Sequence, residues 1–477
     1  MGAATQALYF LCHPNQLRSV IQWKLWHDPV HHRDRSKETP TEASCFHYLN
    51  LTSRSFSSVI QELNPELLMP VTLFYLVLRG LDTIEDDMTL DIKVKEPLLR
   101  NFHEKIEVDG WTFNDSGPNE KDRELLVHFD DIITELHKVK PEYFVVIKDI
   151  ARQMGNGMAD FALNGDHDKY GVITIKDYEL YCHYVAGLVG DGLTRLFVES
   201  KLANPALLSR PELAEAMGQF LQNVNIIRDI KEDFDEGKKW WPKEVWSKHV
   251  DNMEDLFKPE YRQQALWCSS EMVLNALKHA DDCLYYMAGV RDQSCFNFVA
   301  IPQTMAIATL DAVFMNPAIF EKNVKITKGD ACQLMIESTQ NLRLVCEVFR
   351  RYARRIHRKA DPRDPNYFAI CIQCGKIEQF IERIFPTQDV NKLTAEEKAK
   401  ERQKEIERST DQKEAMWLLL AVVIVLLMVG GFMVGAAWLL GAQFSGMSEQ
   451  LSWSKIMSAL NSPEATGTPA PTAHEEL

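Results

Sequence analysis

Apolar residues recur at intervals of three and four along most of the chain, which is the spacing of one face of an α-helix. Prolines at the expected helix starts, such as Pro70, Pro141, Pro211 and Pro302, agree with this pattern. Strict alternation of apolar and polar residues, which would predict strands, is rare. Residues 91–119 lack the pattern and are expected to be an irregular surface excursion. Helices are predicted over 58–68, 70–87, 143–163, 177–200, 211–233, 263–290, 301–315 and 330–360.

The C-terminal part has a different pattern. Residues 415–442 contain no charged side chain, and this length is sufficient to span a bilayer as a helix. Trp417 and Trp438 lie near the two ends, where interfacial aromatic residues are common. Seven Lys and Arg residues precede the span within 387–414, whereas Lys455 alone follows it. The positive-inside rule therefore predicts that the N-terminal part faces the cytosol.

These patterns predict five regions along the chain. The last of them is rich in Pro, Thr and Ala and is expected to be a disordered lumenal tail. The regions are an N-terminal segment 1–39, an all-helical domain 40–385, a charged linker 386–414, a transmembrane helix 415–442 and the tail 443–477.

The bulk composition excludes some classes of function. Apolar residues make up 45% and charged residues 25%, as in globular proteins. The net charge of −15 argues against general binding to nucleic acid. Cys371 and Cys374 form a CxxC pair, but a zinc ribbon would need a second pair. We interpret the two as reduced thiols in a helix, with a metal or redox role as the alternative.

Two acidic clusters share the spacing Asp-x-x-Glu-Asp. On a helix this spacing places three carboxylates on one face, where mutual repulsion demands a counter-charge. Oxygen-only ligands favour Mg²⁺. Each cluster follows an apolar run and is expected at the wall of an internal cavity, whereas the alternative is a solvated acidic helix end. The first cluster is Asp82, Glu85 and Asp86, and the second is Asp229, Glu232 and Asp233.

Candidate anion-binding residues lie close to both clusters. Arg79 precedes the first and Arg228 the second, while Ser53, Arg54 and Ser55 place two hydroxyls beside a guanidinium. Arginine suits a diphosphate because its planar donors engage two oxygens at once. The alternative for Arg79 and Arg228 is an intrahelical salt bridge with the neighbouring acid.

Several blocks of sequence together resemble the squalene synthase family, in particular its fungal type. Phytoene synthases share the acidic motifs but not the whole set or the predicted anchor. The resemblance extends over about 40–360. The blocks are 47–49, 53–56, 82–87, 181–187, 225–229, 241–244 and 296–303.

The resemblance implies an all-α isoprenoid synthase fold around a central cavity. It implies head-to-head condensation of two farnesyl diphosphates to presqualene diphosphate. An NADPH-dependent reductive rearrangement to squalene follows, which is the first committed step of sterol biosynthesis. It also implies residence in the endoplasmic reticulum membrane, with other sterol-pathway membrane enzymes as further partners. Two alternatives remain: a phytoene-type synthase without reduction, and a non-catalytic helical membrane scaffold, against which the intact pair of acidic clusters argues.

The resemblance also implies roles for individual residues. Mg²⁺ would be held by Asp82, Glu85, Asp86, Asp229, Glu232 and Asp233. Diphosphate would be held by Ser53, Arg54, Ser55, Arg79, Asn225 and Arg228. Catalysis would involve Tyr181, Asp82, Asp86, Asp229, Asp233 and Phe298.

Tyr181 and the two phenylalanines Phe296 and Phe298 each have a plainer alternative. By resemblance Tyr181 acts in the proton transfer that closes the cyclopropane ring; otherwise it is a buried tyrosine with one hydrogen bond. Phe296 and Phe298 are expected to line the cavity, where aromatic faces stabilise a carbocation. Helical core packing would explain either phenylalanine equally well.

NADPH is implied by the resemblance alone, because no G-x-G-x-x-G motif follows a predicted strand. The implied cofactor-binding residues are Lys325 and Lys328. Thr327 stands where the family often has arginine, so one expected positive charge is absent. A basic run at 350–359 is interpreted as a solvated or membrane-facing surface rather than as a cofactor site.

Overall fold

The computed structural model describes residues 9–10, 13–53, 56–163 and 171–386, together with Trp417, Ile424, Met428, Gly431 and Phe432. The chain divides into two compact units, of which the larger is His13–Pro386. The smaller unit comprises Met1–Cys12 and Thr387–Leu477, and its described residues are helical. Apart from five residues, the predicted transmembrane helix 415–442 lies outside the described residues, as do the predicted linker, from residue 387 onwards, and the predicted tail.

The larger unit is helical throughout, as predicted. No strand occurs in the described residues, where one isolated bridge pairs Ala203 with Val290. A π-helical turn, His183–Gly187, joins α9 to α10, and short 3₁₀ turns occupy several loops. The α-helices are α1 Pro14–Trp26, α2 Pro40–Thr52, α3 Phe56–Ile60, α4 Pro65–Asp86, α5 Ile92–Lys105, α6 Arg123–Val127, α7 Phe129–Leu136, α8 Pro141–Ala162, α9 Ile175–Cys182, α10 Leu188–Glu199, α11 Pro211–Arg228, α12 Ile230–Asp235, α13 Lys243–Trp246, α14 Arg262–Leu277, α15 Ala280–Met287, α16 Gln293–Val313, α17 Lys328–Ser338, α18 Leu342–Lys359 and α19 Tyr367–Ile384.

Two prolines expected at helix starts lie inside helices instead. Helix α4 begins at Pro65, where the side chain of Asn64 accepts a hydrogen bond from the amide of Glu66, and it continues through Pro70. Pro302 likewise lies inside α16. An internal proline costs about 3 kcal/mol. Nine large apolar side chains of α4 are buried, each contributing roughly 1.5–3 kcal/mol, so packing outweighs this cost.

The expectation that 91–119 is irregular is wrong over its first half. Helix α5 occupies part of this region, and the side chain of Asp91 caps it by accepting a hydrogen bond from the amide of Lys93 at 2.9 Å. Leu99 and Phe102 are fully buried on one face of α5. Only two large apolar residues of this helix are fully buried, which explains why the apolar pattern was too weak to predict it.

The core is built around α4, α8, α10, α11 and α16. Helix α11 packs against the π-helical turn, α10 and α14–α16, while α8 packs against α4 and α5. Among the described residues, α4 and α16 are long and apolar enough to cross a membrane. Both are mostly buried inside the larger unit, so they are core helices of this domain.

The π-helical turn is surrounded by glycines at points of close approach. A Cβ atom on Gly157 of α8 would overlap the ring of Tyr184, and one on Gly218 of α11 would overlap the carbonyl of Ala186. A Cβ on Gly187 would overlap the carboxylate of Glu215. Two neighbouring helices, α8 and α11, therefore pack closely against the turn at positions where they carry glycine.

The basic run at 350–359 is mostly exposed, as expected, and several of its cations also form ion pairs. Arg355 and Lys359 of α18 each form a 2.8 Å ion pair with Asp311 of α16, whose side chain is 2% exposed. Arg351 pairs with Glu337 of α17 at 2.6 Å. These ion pairs fasten α18 to its neighbours.

Close packing at Gly155 gives a test of the fold. A Cβ on Gly155 in α8 would overlap the backbone carbonyl of Leu99 in α5, which has little freedom to move. We expect Gly155→Ala to lower the free energy of unfolding by about 1–3 kcal/mol, measured by urea denaturation. Gly375→Ala in α19 is the matched control, because no atom lies within 4 Å of its Cβ position. It should be neutral or stabilise by up to about 1 kcal/mol; equal effects at both glycines would contradict the packing.

Candidate active site

The first acidic cluster ends the apolar helix α4. Asp82, Glu85 and Asp86 all line a polar cavity of about 340 Å³. Asp87 points elsewhere and accepts hydrogen bonds from the hydroxyl of Thr89 at 2.6 Å and the amide of Gly117 at 2.8 Å. Helical spacing thus separates the three cavity-facing acids from a fourth that has a structural role.

The second cluster is not on one continuous helix, contrary to the prediction. Helix α11 ends at Arg228, and Asp229 stands at the junction with α12, with φ −95° and ψ 8°. The amide of Asp233 still donates to the carbonyl of Asp229 at 2.9 Å, so these two acids keep a helical relation and both line the polar cavity. Glu232 is exposed and is not among the residues lining that cavity.

The two clusters face each other across the polar cavity. Lys238, five residues beyond Asp233, forms a 2.7 Å ion pair with Asp86 of the first cluster. The buried Trp241 donates from its indole nitrogen to the carbonyl of Ile226 at 3.2 Å and folds this segment back against α11. Five carboxylates and three cationic side chains line the cavity, namely Asp82, Glu85, Asp86, Asp229 and Asp233 with Arg79, Arg228 and Lys238.

Burial and crowding raise the pKa values of several of these acids. Burial raises the pKa of Asp82 to about 6, against the opposing effect of Arg79. Burial, then Asp86 and Asp82, hold the pKa of Glu85 well above its ordinary value. Burial and the charge of Asp229 raise the pKa of Asp233 to about 7. The site thus holds more negative charge than its own cations neutralise, as is common at functional sites.

Both predicted arginines line the cavity and also pair with the neighbouring acid, which was the alternative interpretation. Arg79 lies 3.4 Å from Asp82 and also donates to the hydroxyl of Tyr75 at 3.1 Å. Arg228 engages both carboxylate oxygens of Asp229. An incoming anion would therefore compete with carboxylates for these guanidinium groups.

An apolar cavity of about 260 Å³ adjoins the polar one. Phe298 lines it as predicted, beside Phe56, with ring centroids 6.4 Å apart. Phe296 does not line it and is buried in the core, so packing is the correct interpretation for that residue. Five residues border both cavities, namely Arg79, Asp82, Val185, Gln222 and Asn225.

Tyr181 lines the polar cavity and stacks on Trp240, with ring centroids 4.1 Å apart and an interplanar angle of 15°. Burial, followed by the charges of Glu85, Asp86 and Asp82, raises its pKa well above the ordinary value. Tyr181 therefore keeps its proton and faces the first acidic cluster as a neutral hydroxyl.

The carboxylates do not form a finished metal cage. Among the described residues, no three His, Cys, Asp or Glu side chains converge on one point. The donor set nevertheless suits a hard cation, because it contains only oxygen ligands around an open cavity with excess negative charge. Mg²⁺ commonly takes one or two carboxylates and completes its shell with water and phosphate oxygens. The residues therefore fit Mg²⁺ bound jointly with a diphosphate.

Three other predicted site residues that the structure describes, Ser53, Lys325 and Lys328, are not among the residues lining the two cavities. The Ser53 hydroxyl accepts a hydrogen bond from the amide of Phe56 at 3.1 Å, near the start of α3. Arg54 and Ser55 are outside the described residues. Lys325 and Lys328 are exposed, in the connection before α17 and at its first residue.

Sequence reasoning missed three residues at the site. Lys238 follows the second cluster by only a few positions. A charged residue so close in sequence could have been predicted to lie at the site. Trp240 directly precedes the block 241–244, which was recognised but given no role in the site. Asn323 comes from a loop more than ninety positions away, where its amide nitrogen donates to Asp229 and, at 3.0 Å, to Glu232. No local pattern indicated Asn323.

Comparison with known proteins places this site in a family. A profile of the squalene/phytoene synthase family matches residues 49–330. A Neurospora crassa protein named as a probable squalene synthase is 65% identical, over 100% of both chains. A squalene synthase of Gibberella zeae is 58% identical over 98% of this chain and 99% of its own. The solved structure of TcSQS with the ligand E5700 is 37% identical, with a TM-score of 0.69 over 72% of this chain and 99% of that chain.

The raised pKa of Asp233 predicts a stability effect in metal-free protein. Between about pH 4 and pH 7 the native state binds more protons at this carboxyl than the unfolded state, so wild-type stability falls as pH rises through this window. Asp233→Asn should therefore be the more stable protein at pH 8, by on the order of 1 kcal/mol, and the gain should vanish near pH 4.

The control for this prediction is Asp235→Asn on the same short helix, where the exposed acid pairs with Lys231. It should lose at most about 1 kcal/mol at pH 8. Urea denaturation at the two pH values measures both variants. A loss of stability in Asp233→Asn at pH 8 would show that this carboxylate is not under electrostatic strain.

Proposed function

The chain belongs to the squalene/phytoene synthase family, and from that membership we propose that it is a squalene synthase. It joins two farnesyl diphosphates head to head and reduces presqualene diphosphate to squalene, a step of sterol biosynthesis. Relatives that bear this name align with nearly the whole chain. They favour this activity over a phytoene-type synthase and over a non-catalytic scaffold.

One observation carries the proposal: an apolar cavity opens directly onto a polar cavity with two facing acidic clusters. A farnesyl chain is apolar and its diphosphate is strongly anionic, so the substrate matches the two cavities in turn. Asn225 and Gln222 lie on their shared border, where the bond that breaks would be placed. Phe298 then lies on the apolar side, where an aromatic face stabilises an allylic cation.

The acidic clusters would hold Mg²⁺ together with the substrate diphosphate. Asp82, Glu85 and Asp86 would act from one wall and Asp229 and Asp233 from the other, with Glu232 at the outer edge. A cation held by these carboxylates would neutralise charge on the departing diphosphate. Arg79, Arg228 and Lys238 turn toward diphosphate oxygens when their carboxylate partners are engaged, and Ser53, Arg54 and Ser55 are further proposed anion ligands.

Tyr181 is proposed to position and hold a proton during closure of the cyclopropane ring. Its hydroxyl faces the first cluster, and stacking on Trp240 fixes the plane of its ring. The raised pKa makes it a poor base by itself, so it orients a proton acceptor such as the released diphosphate rather than removing the proton alone.

NADPH would supply the hydride for the reductive step. Lys325 and Lys328 are the proposed contacts, since both are exposed and follow Asn323, which contacts the second cluster, by two and five positions. Thr327, at the position where a further positive charge was expected, caps α17 by accepting a hydrogen bond from the amide of Asp330 at 3.1 Å. Two lysines rather than three cations would therefore meet the cofactor's phosphates.

Product analysis tests this function. Protein incubated with farnesyl diphosphate, Mg²⁺ and NADPH should form squalene, and omission of NADPH should leave presqualene diphosphate. Asp82→Asn and Asp229→Asn should each lower turnover on the order of 100-fold or more, because each removes charge that would hold Mg²⁺. The control Asp235→Asn should retain activity. Squalene formed without NADPH, or full activity in either cluster variant, would refute the assignment.

The proposed location is the endoplasmic reticulum membrane, with 415–442 as a single C-terminal anchor and the helical domain in the cytosol. The excess of Lys and Arg before the anchor is the supporting observation. Protease added to sealed microsomes should digest the helical domain and spare the residues after the anchor. Protection of the helical domain would reverse the orientation.

A further inference from the structure

The connection between the 3₁₀ turn Pro317–Phe320 and α17 is held mainly by side chains. We call residues 323–327 the connector. Among the described residues, none of the amides from 323 to 326 donates to a backbone carbonyl. Val324 and Ile326 pack against the core, while Lys325 between them is exposed. Its conformation thus depends on what anchors its two ends.

The far end of the connector is fixed to the N-terminal helix α1. Thr327 caps α17, and its hydroxyl lies 3.1 Å from the side-chain oxygen of Gln16. Gln16 also donates to Asp330 at 3.2 Å. A Cβ on Gly329 would overlap Gln16, so α1 and α17 are in close contact at this point. This anchor involves no residue of the acidic clusters.

The near end is fixed to the second acidic cluster by one side chain. The amide nitrogen of Asn323 donates to an oxygen of Asp229 and to one of Glu232. The same Asp229 oxygen also accepts from Arg228 at 2.8 Å. The side-chain carbonyl of Asn323 is buried without a hydrogen-bond partner. The carboxylates therefore determine the orientation of this amide. That orientation leaves the amide's own carbonyl oxygen without a hydrogen bond, which is unfavourable for a buried acceptor.

We propose that Asn323 is a positioning residue that competes with the bound cation for the carboxylates of Asp229 and Glu232. This inference rests on the proposed function. An amide NH₂ and a divalent cation both present positive charge to the same oxygens, so the two exclude each other there. Cation binding at the second cluster releases the near end of the connector, which carries Lys325 two positions further on. Binding of the cation and diphosphate then determines how freely the proposed cofactor-binding segment moves.

Metal binding and connector mobility are measured separately in full-length protein. The probe is Mn²⁺ with inorganic diphosphate, titrated by the electron paramagnetic resonance signal of free Mn²⁺. Hydrogen–deuterium exchange follows the peptide that contains 319–327, in which the amides of Glu321 and Lys322 both donate to the carbonyl of Ala318. In the wild type, metal with diphosphate should accelerate exchange in this peptide. In Asn323→Ala, exchange should be fast already and insensitive to metal, and Mn²⁺ should bind roughly three- to tenfold more tightly because no amide must be displaced.

Two controls separate competition from a purely structural role. Lys322→Ala changes the exposed residue next to Asn323 and should behave like the wild type in both measurements. Asn323→Gln retains the amide and should restore part of the metal-dependent change in exchange. Exchange in the Gln16 region of α1 should not respond to metal in any of these proteins.

The outcomes distinguish this inference from the proposed function. Tight Mn²⁺ binding in the wild type with no change in connector exchange would overturn the competition alone. Weaker Mn²⁺ binding in Asn323→Ala would also overturn it, because the amide carbonyl would then be a metal ligand. Asp229→Asn tests whether Mn²⁺ binding depends on this carboxylate. If the variant binds Mn²⁺ as tightly as the wild type, both the metal role of the second cluster and the competition are overturned.

Discussion

Repulsion between two groups of carboxylates across one small cavity is the constraint on which the site depends. The apolar helix α4 and the core helix α11 lead to these groups, so the acids cannot move apart without disturbing the core. Each is held by a specific neutralising partner. Arg79 and Arg228 act within their own clusters, Lys238 acts across the cavity, and Asn323 acts from a distant loop. In the proposed function, a cation that enters would replace these partners and free them for an anion.

The parts of this arrangement that follow from local spacing were predictable from sequence. The first cluster ends one long apolar helix, and its three cavity-facing acids follow from helical geometry. The break at Asp229 was not predictable, because apolar residues continue on both sides of it. Helix α5 was missed because little of its surface is buried. The role of Asn323 could not be predicted from sequence, since only the tertiary fold brings it into contact with Asp229.

The two halves of the proposed reaction rest on structure of different kinds. The acids of the two clusters, with Arg79 and Arg228, lie on or directly after buried helices, where packing leaves little freedom. Lys325, one of the two residues assigned to the cofactor, lies on a segment whose backbone amides, from 323 to 326, form no hydrogen bonds to other backbone groups among the described residues, whereas Lys328 begins α17. Segments with few backbone hydrogen bonds open at low free-energy cost. The segment proposed to bind the cofactor at Lys325 is therefore expected to adjust more easily than the helices that carry the two acidic clusters.

The π-helical turn between α9 and α10 has a consequence for how the chain tolerates insertions and deletions. A π turn holds one residue more than an α-helical turn, and each residue of an α-helix rotates its neighbours by about 100°. Loss of a single residue from 183–187 would restore a regular helix and turn Tyr181 away from the cavity relative to α10. Gly157 and Gly218 already lie in close contact with the turn. The orientation of Tyr181 relative to α10 thus depends on the backbone of the turn as well as on the packing of side chains.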